Sequence, residues 1–174
     1  MKIGKLYLKV PYKSELWYRI KLLSDPETMD FNKGFGDDGT GCYRITQEQV
    51  EKWFENWIGI IDKFYAYIVR QDDNTFIGHV NIHFDENIGM HLIGINIESA
   101  YRGREYSEEA LCLLVEHAFR EMNLDKIANK FPVTRTAAER VFTKVGFIRQ
   151  DDDFLVLSRS DFKPLAVMKR KNNA

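Results

Sequence analysis

Residues 91–111 read HLIGINIESAYRGREYSEEAL, and the order of elements in them decides the fold. The run His91–Ile97 is an apolar strand. A short loop follows, Tyr101-Arg102-Gly103-Arg104-Glu105-Tyr106-Ser107, and it feeds a helix. That helix is predicted from about Ser107 to Asn123, with Leu111, Leu114, Val115, Ala118, Phe119 and Met122 as its buried stripe. First-turn N–H groups lack intrahelical acceptors, and the helix dipole puts positive charge beside them, so such a junction is a ready anion site. Arg102 and Arg104 add charge suited to phosphate. On these residues alone two readings stand side by side. One is a phosphate-bearing ligand at the junction; the other is a solvated turn.

Outward from this stretch the hydrophobic period assigns the remaining elements. Upstream, Ile3, Leu6, Leu8 and Val10 alternate with polar residues as an opening strand. Ser14 is placed to cap a helix carrying Leu16, Trp17, Ile20 and Leu23, and Ser24-Asp25-Pro26-Glu27 reads as another helix start. Residues 31–43, FNKGFGDDGTGCY, read as a mobile loop. Thr46-Gln47-Glu48-Gln49 has capping-box spacing before a stripe of Val50, Trp53, Phe54, Trp57, Ile58 and Ile61. Strands are predicted at Tyr65–Arg70 and Phe76–Phe84, giving an antiparallel meander with His91–Ile97. Downstream come a strand near Lys126–Phe131, a helix opened by Thr136-Ala137-Ala138-Glu139 and ended by Gly146, and strands near Phe147–Arg149 and Phe154–Ser158. The order is β-α-α-β-β-β-α-β-α-β-β. It implies an α/β (α+β) fold with a mixed, mostly antiparallel central sheet flanked by helices.

Composition narrows the function. The chain has 174 residues, 44% hydrophobic and 29% charged, which suits one globular domain. We read residues 1–168 as that domain and 169–174 as a basic tail. Lys plus Arg is 25 against Asp plus Glu 26, so no overall field exists to hold nucleic acid or an anionic membrane. No apolar run is long enough to span a bilayer, and the N-terminus has no signal-peptide core. Cys42 and Cys112 make neither a disulfide framework nor a zinc spacing. Two reduced thiols in a cytoplasmic protein are expected.

Several segments, taken in order, resemble the GNAT N-acetyltransferase family. The strand–loop–helix is similar to its acetyl-CoA-binding segment, whose pattern is Arg/Gln-x-x-Gly-x-Gly/Ala, and Gly94 stands eight residues before Arg102. KLYLKVPYKSELWYRIKLLSDPETM, FIGHVNIHF, PVTRTAAERVFTKVGFIRQ and FLVLSRSDF resemble the family's first strand and helix, third strand, late helix and last strand. The closest likeness is to the RimJ/RimL-like branch, which acetylates ribosomal-protein N-termini.

The resemblance implies the acyl-CoA N-acyltransferase fold, with a fourth and fifth strand that splay apart around pantetheine. Ile95, Asn96 and Ile97 would then line acetyl-CoA, the co-substrate, and Ile95 and Ile97 would offer it backbone groups. Arg102, Gly103, Arg104, Glu105, Tyr106 and Ser107 would hold its pyrophosphate. The resemblance adds Arg135, just before the late helix, and Phe142 on it to the cofactor site. Glu105 departs from a favoured Gly, Ser107 from a final Gly/Ala, and Arg135 from a frequent Asn. Phe142 stands where many relatives carry a Tyr that protonates the departing thiolate.

The implied chemistry is direct attack of a neutral primary amine on the thioester. The amine would belong to a protein N-terminus or a small molecule such as a polyamine or aminoglycoside. A base or water must take the ammonium proton. His83 and His91 are the catalytic candidates, because histidine titrates near neutrality. His79, Asn81 and His83 alternate along one strand and share a face. The spacing of His79 and His83 suits a metal, but no Cys or carboxylate completes a ligand set, so no metal is expected. Asp37 and Asp38 read equally as a draw for a cationic acceptor and as plain solubilising charges of a loop. The family's frequent dimerisation makes a homodimer the expected assembly. The rival reading is a non-catalytic acyl-CoA-binding regulatory module, which Glu105 and Phe142 favour.

Overall fold

A computed structural model describes residues 4–164. Its strands are β1 (Leu6–Lys9), β2 (Lys63–Arg70), β3 (Phe76–Asp85), β4 (Met90–Ile97), β5 (Lys126–Lys130), β6 (Ile148–Arg149) and β7 (Phe154–Ser158). Its α-helices are α1 (Leu16–Ser24), α2 (Gln47–Trp57), α3 (Tyr106–Arg120) and α4 (Thr136–Val145). The chain order is the one the hydrophobic period predicts. Among the described residues the strands form one sheet in the order β1-β2-β3-β4-β5-β7-β6, with β4 and β5 its parallel pair. The basic tail 169–174 lies outside the described residues.

The two faces of the sheet differ in chemistry. One face is aliphatic: Ala66, Ile68, Val80, Ile82 and Ile93 pack under Leu111, Leu114, Val115 and Ala118 of α3. The other is aromatic. Tyr18 of α1 meets the Tyr67 ring edge-on at 5.1 Å, and Trp53 of α2 meets Tyr65 at 4.6 Å. Strand β2 is buried on both sides, so Tyr65 and Tyr67 face the aromatic layer while Ala66 and Ile68 face the aliphatic one.

Four local expectations are corrected. The helix start at Ser24 does not become a helix. Asp25 caps the Thr28 N–H at 3.3 Å, and the chain makes one turn, Met29 N–H to Asp25 C=O, at 2.9 Å. The Thr28 hydroxyl is then taken by the Ser99 N–H at 3.0 Å, so a tertiary bond arrests the turn. Trp17 and Ile61 are not core residues, at 57% and 87% exposed. Tyr18 takes the buried place in α1, and Ile61 lies beyond the end of α2. The capping box at Thr136 does not form: Arg135 is the N-cap, and Glu139 binds Arg149 instead. Segment 31–43 is a compact structure rather than a slack loop. Gly41 N–H donates to Phe35 C=O and Asp37 N–H to Cys42 C=O, both at 2.8 Å. A Cβ at Gly41 would stand 2.6 Å from the Met29 carbonyl oxygen, which no side chain tolerates.

The cap at Gly146 is as expected, with φ 116° at the end of α4. Both cysteines are buried, and burial pushes the Cys112 thiol up to about 12.

A buried carboxylate fastens the first strand to the rest. Glu109 of α3 is 7% exposed and accepts the N–H groups of Lys5 at 2.6 Å and Leu6 at 2.9 Å. Backbone donors at the start of β1 therefore depend on one side chain from the opposite layer. Removing it leaves the buried Leu6 N–H unmet. We expect Glu109→Ala to lose about 2–3 kcal/mol in urea denaturation. A loss below about 0.5 kcal/mol would show that water replaces the carboxylate there.

Candidate functional site

The site begins where two strands part. β4 and β5 pair at His91↔Ile127 and Leu92↔Ala128, and beyond these positions they separate. The Asn129 side chain reaches across the start of the gap and donates to the Ile93 carbonyl at 2.7 Å. A strand's backbone groups point the same way every second residue. Ile93, Ile95 and Ile97 therefore all address the side that β5 has left. The Ile97 carbonyl is occupied by Arg102 Nε at 3.0 Å. Ile95, between them, presents its N–H and C=O to the opening.

The loop after β4 borders this opening. Arg102 does not extend its guanidinium toward the loop backbone. It donates to three carbonyls, those of Ile97, Glu27 (3.3 Å) and Thr28, and so ties the end of β4 to the segment after α1. Gly103 is exposed, with φ 73° and nothing within 4 Å of where a Cβ would stand. Arg104 sits 5.9 Å from the Tyr101 ring. Glu105 is the N-cap of α3 in left-handed backbone, φ 63° and ψ 3°. Among the described residues no side chain caps this helix, which leaves the N–H groups of its first turn, from Tyr106 and Ser107 on, beside Gly103. Glu108 in the same turn is paired with Lys144 of α4 at 2.5 Å.

Arg135 stands after β5, stacked over Phe31 at 4.9 Å and near Phe131 at 5.6 Å. Desolvation lowers its pKa and so does the charge of Arg102. The ends of the two parting strands thus bring two guanidinium groups within each other's field. Phe142 is 3% exposed and packs between Phe131 at 5.2 Å and Phe147 at 4.9 Å, as part of the core.

The β3 histidines lie on the aromatic face. His83 pairs across from Leu92, and Phe84 from His91, so His83 and His91 point to opposite faces of the sheet. His91 Nε2 is 3.2 Å from Asp62 Oδ1. His79, Asn81 and His83 share their face with Asn96, Gly94 and Leu92 of β4. Asn81 lies over Gly94, where a Cβ would meet its Nδ2 at 2.7 Å. Among the described residues three buried side-chain atoms have no hydrogen-bond partner: His79 Nδ1, His83 Nδ1 and Arg19 Nε. All three belong to this layer. Buried polar atoms are nearly always satisfied, so three exceptions in one layer set it apart from the aliphatic face. Burial lowers the pKa of His83, leaving it a neutral base near pH 7.

A family model of the acetyltransferase (GNAT) domain matches residues 10–148. The chain belongs to the GNAT acetyltransferase family. The uncharacterised N-acetyltransferase YnaD of Bacillus subtilis is 31% identical over 85 residues, 48% of this chain. That match spans about half of the relative, 49% of its length. A GNAT-family acetyltransferase from Bacillus anthracis superposes with a TM-score of 0.71 at 17% identity, covering 91% of this chain and 98% of that one. Spermidine N-acetyltransferase from Vibrio cholerae, solved with CoA and spermine, gives 0.73 at 14% identity, covering 90% and 97%. At such identities the likeness is one of fold, and the fold is the GNAT fold.

Within this GNAT chain, four residues of the site escape the sequence reading. Arg19 follows Leu16 by three positions and precedes Leu23 by four, so a charge inside an apolar stripe was the available signal. Tyr65 and Asn81 are placed by strand register. Asn129 carries no signal, because only the parting of β4 and β5 gives its amide a role.

The layer has a pH signature. Burial, with Arg19 adding to it, pushes the His79 pKa down to about 3. Unfolded, the group takes up a proton below about pH 6.5. Stability is therefore retained above 6.5 and lost as pH falls below it, by about 1.4 kcal/mol per pH unit for this one group. We expect His79→Phe to lose about 2 kcal/mol less than the parent between about pH 6.5 and 5, by urea denaturation at each pH. Parallel curves for the two proteins would show that His79 is charged in the fold.

Proposed function

We propose that this chain is an acetyl-CoA-dependent N-acetyltransferase acting on a primary amine. The parting of β4 from β5 after Leu92, beside the uncapped start of α3, carries this reading. The residues there suit acetyl-CoA. Ile95 offers a backbone donor and acceptor along the open edge, as a peptide-like pantetheine arm requires. Gly103 to Ser107 offer N–H groups and a helix N-terminus to a pyrophosphate. Arg104 adds charge at the loop, and Arg102 and Arg135 add it where the two strands end.

Bound acetyl-CoA supplies a thioester carbonyl. The chain's own contribution is to hold that carbonyl against the acceptor and exclude water, which accounts for a large share of such a rate. A C–N bond forms, the C–S bond breaks, and the amine loses a proton to a base. His83 is the better placed of the two histidines for that proton, because it faces the layer of unpaired polar atoms while His91 faces away. Phe142 can give no proton to the departing thiolate, so water reprotonates it. For the acceptor, the collinear segments favour the RimJ/RimL-like branch and a peptide N-terminus. The segments alone carry that preference, since the spermidine N-acetyltransferase fold superposes with a TM-score of 0.73 and that of a proposed ribosomal-protein-serine acetyltransferase from Vibrio cholerae at 0.66.

Acetyl-CoA at about 100 times its Kd would add about 2.7 kcal/mol by mass action and raise the thermal midpoint by about 5–10 °C. Thiol release from acetyl-CoA over a panel of peptides, polyamines and aminoglycosides then tests turnover. No thermal shift at millimolar acetyl-CoA would defeat the reading. A shift without turnover on any amine would establish the regulatory module instead.

Glu105 gives a finer test. Its left-handed backbone is unfavourable for any residue with a Cβ and easy for glycine. Its carboxylate also stands beside the phosphate loop. We expect Glu105→Gly to tighten acetyl-CoA about threefold to tenfold, with the gain shrinking in high salt. Calorimetry at two salt concentrations checks this, and weaker binding at both would mean that Glu105 helps to order the loop.

A further inference from the structure

On the aromatic side of the sheet lies a cleft of about 280 Å³, walled by Arg19, Asp37, Tyr43, Arg44, Gln49 and Trp53. The acetyl-CoA site above does not use it. Its distinctive wall is Arg19. The guanidinium lies 3.8 Å from the Trp53 ring centre and 5.1 Å from that of Tyr65, and Nη1 donates to the Tyr65 hydroxyl at 3.1 Å. Nε is buried with no acceptor. No carboxylate pairs with Arg19 among the described residues, which is unusual for a guanidinium held among aromatic rings.

The aspartates nearby do not fill that role. Asp37 Oδ2 accepts the Arg44 N–H at 2.6 Å, and Asp38 lies 3.7 Å from the Arg44 guanidinium. Both acids are therefore held within their own loop, and the expectation that they draw a cation loses its support. The walls carry two guanidinium groups and one engaged carboxylate. Stacking fixes the plane of Arg19, which prepares its donors for a planar or tetrahedral oxyanion.

The cleft is linked through side chains to β4 beside its open edge at Ile95. Tyr65, bonded to Arg19, stacks on His79 at 5.0 Å, and His79 pairs across from Asn96 of β4. From β2 to β4 is two strand spacings, about 10 Å. We infer that the cleft binds an anionic group of the acceptor. The substrate is then an elongated primary amine bearing a carboxylate or phosphate about 10 Å or more from the amine, a separation of about three extended residues. A short acidic peptide is the simplest example. Polyamines, cationic throughout, do not fit. This inference rests on the N-acetyltransferase reading.

The test compares tetrapeptides with a free N-terminus and aspartate or phosphoserine at the third or fourth position. Their neutral amide counterparts and spermidine complete the set. KM is read from thiol release, and binding is read separately from tryptophan fluorescence, since Trp53 lines the cleft. Acidic peptides should show a KM and a binding constant roughly ten- to hundredfold lower than neutral ones. The aspartate and phosphoserine arms distinguish the two anions. Arg19→Gln should collapse that ratio, Arg19→Lys should restore part of it, and the exposed Arg44→Gln should reduce it less. A retained acetyl-CoA thermal shift shows that each variant is folded.

Equal constants for acidic and neutral peptides would overturn the inference, as would a preference for spermidine. So would an Arg19→Gln effect equal on both peptides, which would mark the residue as structural. Selective binding of acidic peptides without turnover would keep the anion subsite and refute the enzyme reading instead.

Discussion

The parallel contact between β4 and β5 lasts for two residues, and the rest of the molecule is arranged around its failure to continue. A sheet edge inside a fold leaves backbone donors and acceptors that must be met by something. At Ile93 an asparagine amide meets them, and at Ile97 an arginine does. Between them, Ile95 stands where no β5 partner pairs with β4. A packed sheet would have no reason for such a break, and nothing in the cores on either face requires it.

The two layers around the sheet divide the work. The aliphatic layer under α3 is closed by shape alone, and its one buried acid, Glu109, is spent on the backbone of the first strand. The aromatic layer is less complete. It holds rings in edge-on and stacked contact, which fixes geometry, and it leaves imidazole and guanidinium nitrogens without partners. Both layers hold buried apolar side chains, and the buried unpaired nitrogens lie in the second, among Tyr65 and Trp53.

Much of this was legible before any coordinates. The apolar run ending at Ile97, followed by arginines, a glycine and a new helical stripe, is a local pattern. Local patterns survive into the fold, as do the stripe of α3 and the glycine after α4. What was illegible depends on contacts between distant segments. Thr28 stops a helix because Ser99 takes its hydroxyl. Glu139 leaves its own helix start because Arg149 is nearer. The bonds from Arg102 to the carbonyls of Glu27 and Thr28 exist only because the fold brings those segments together. Arg19 carries no local signal of its role, because a charge in an apolar stripe gains meaning only from the rings beneath it.

The Arg102 clamp also makes two regions into one mechanical body. A single guanidinium joins the end of β4 to the segment that runs from α1 toward the cleft wall. Its acceptors lie on both segments, so neither can shift its backbone path without breaking hydrogen bonds to the other.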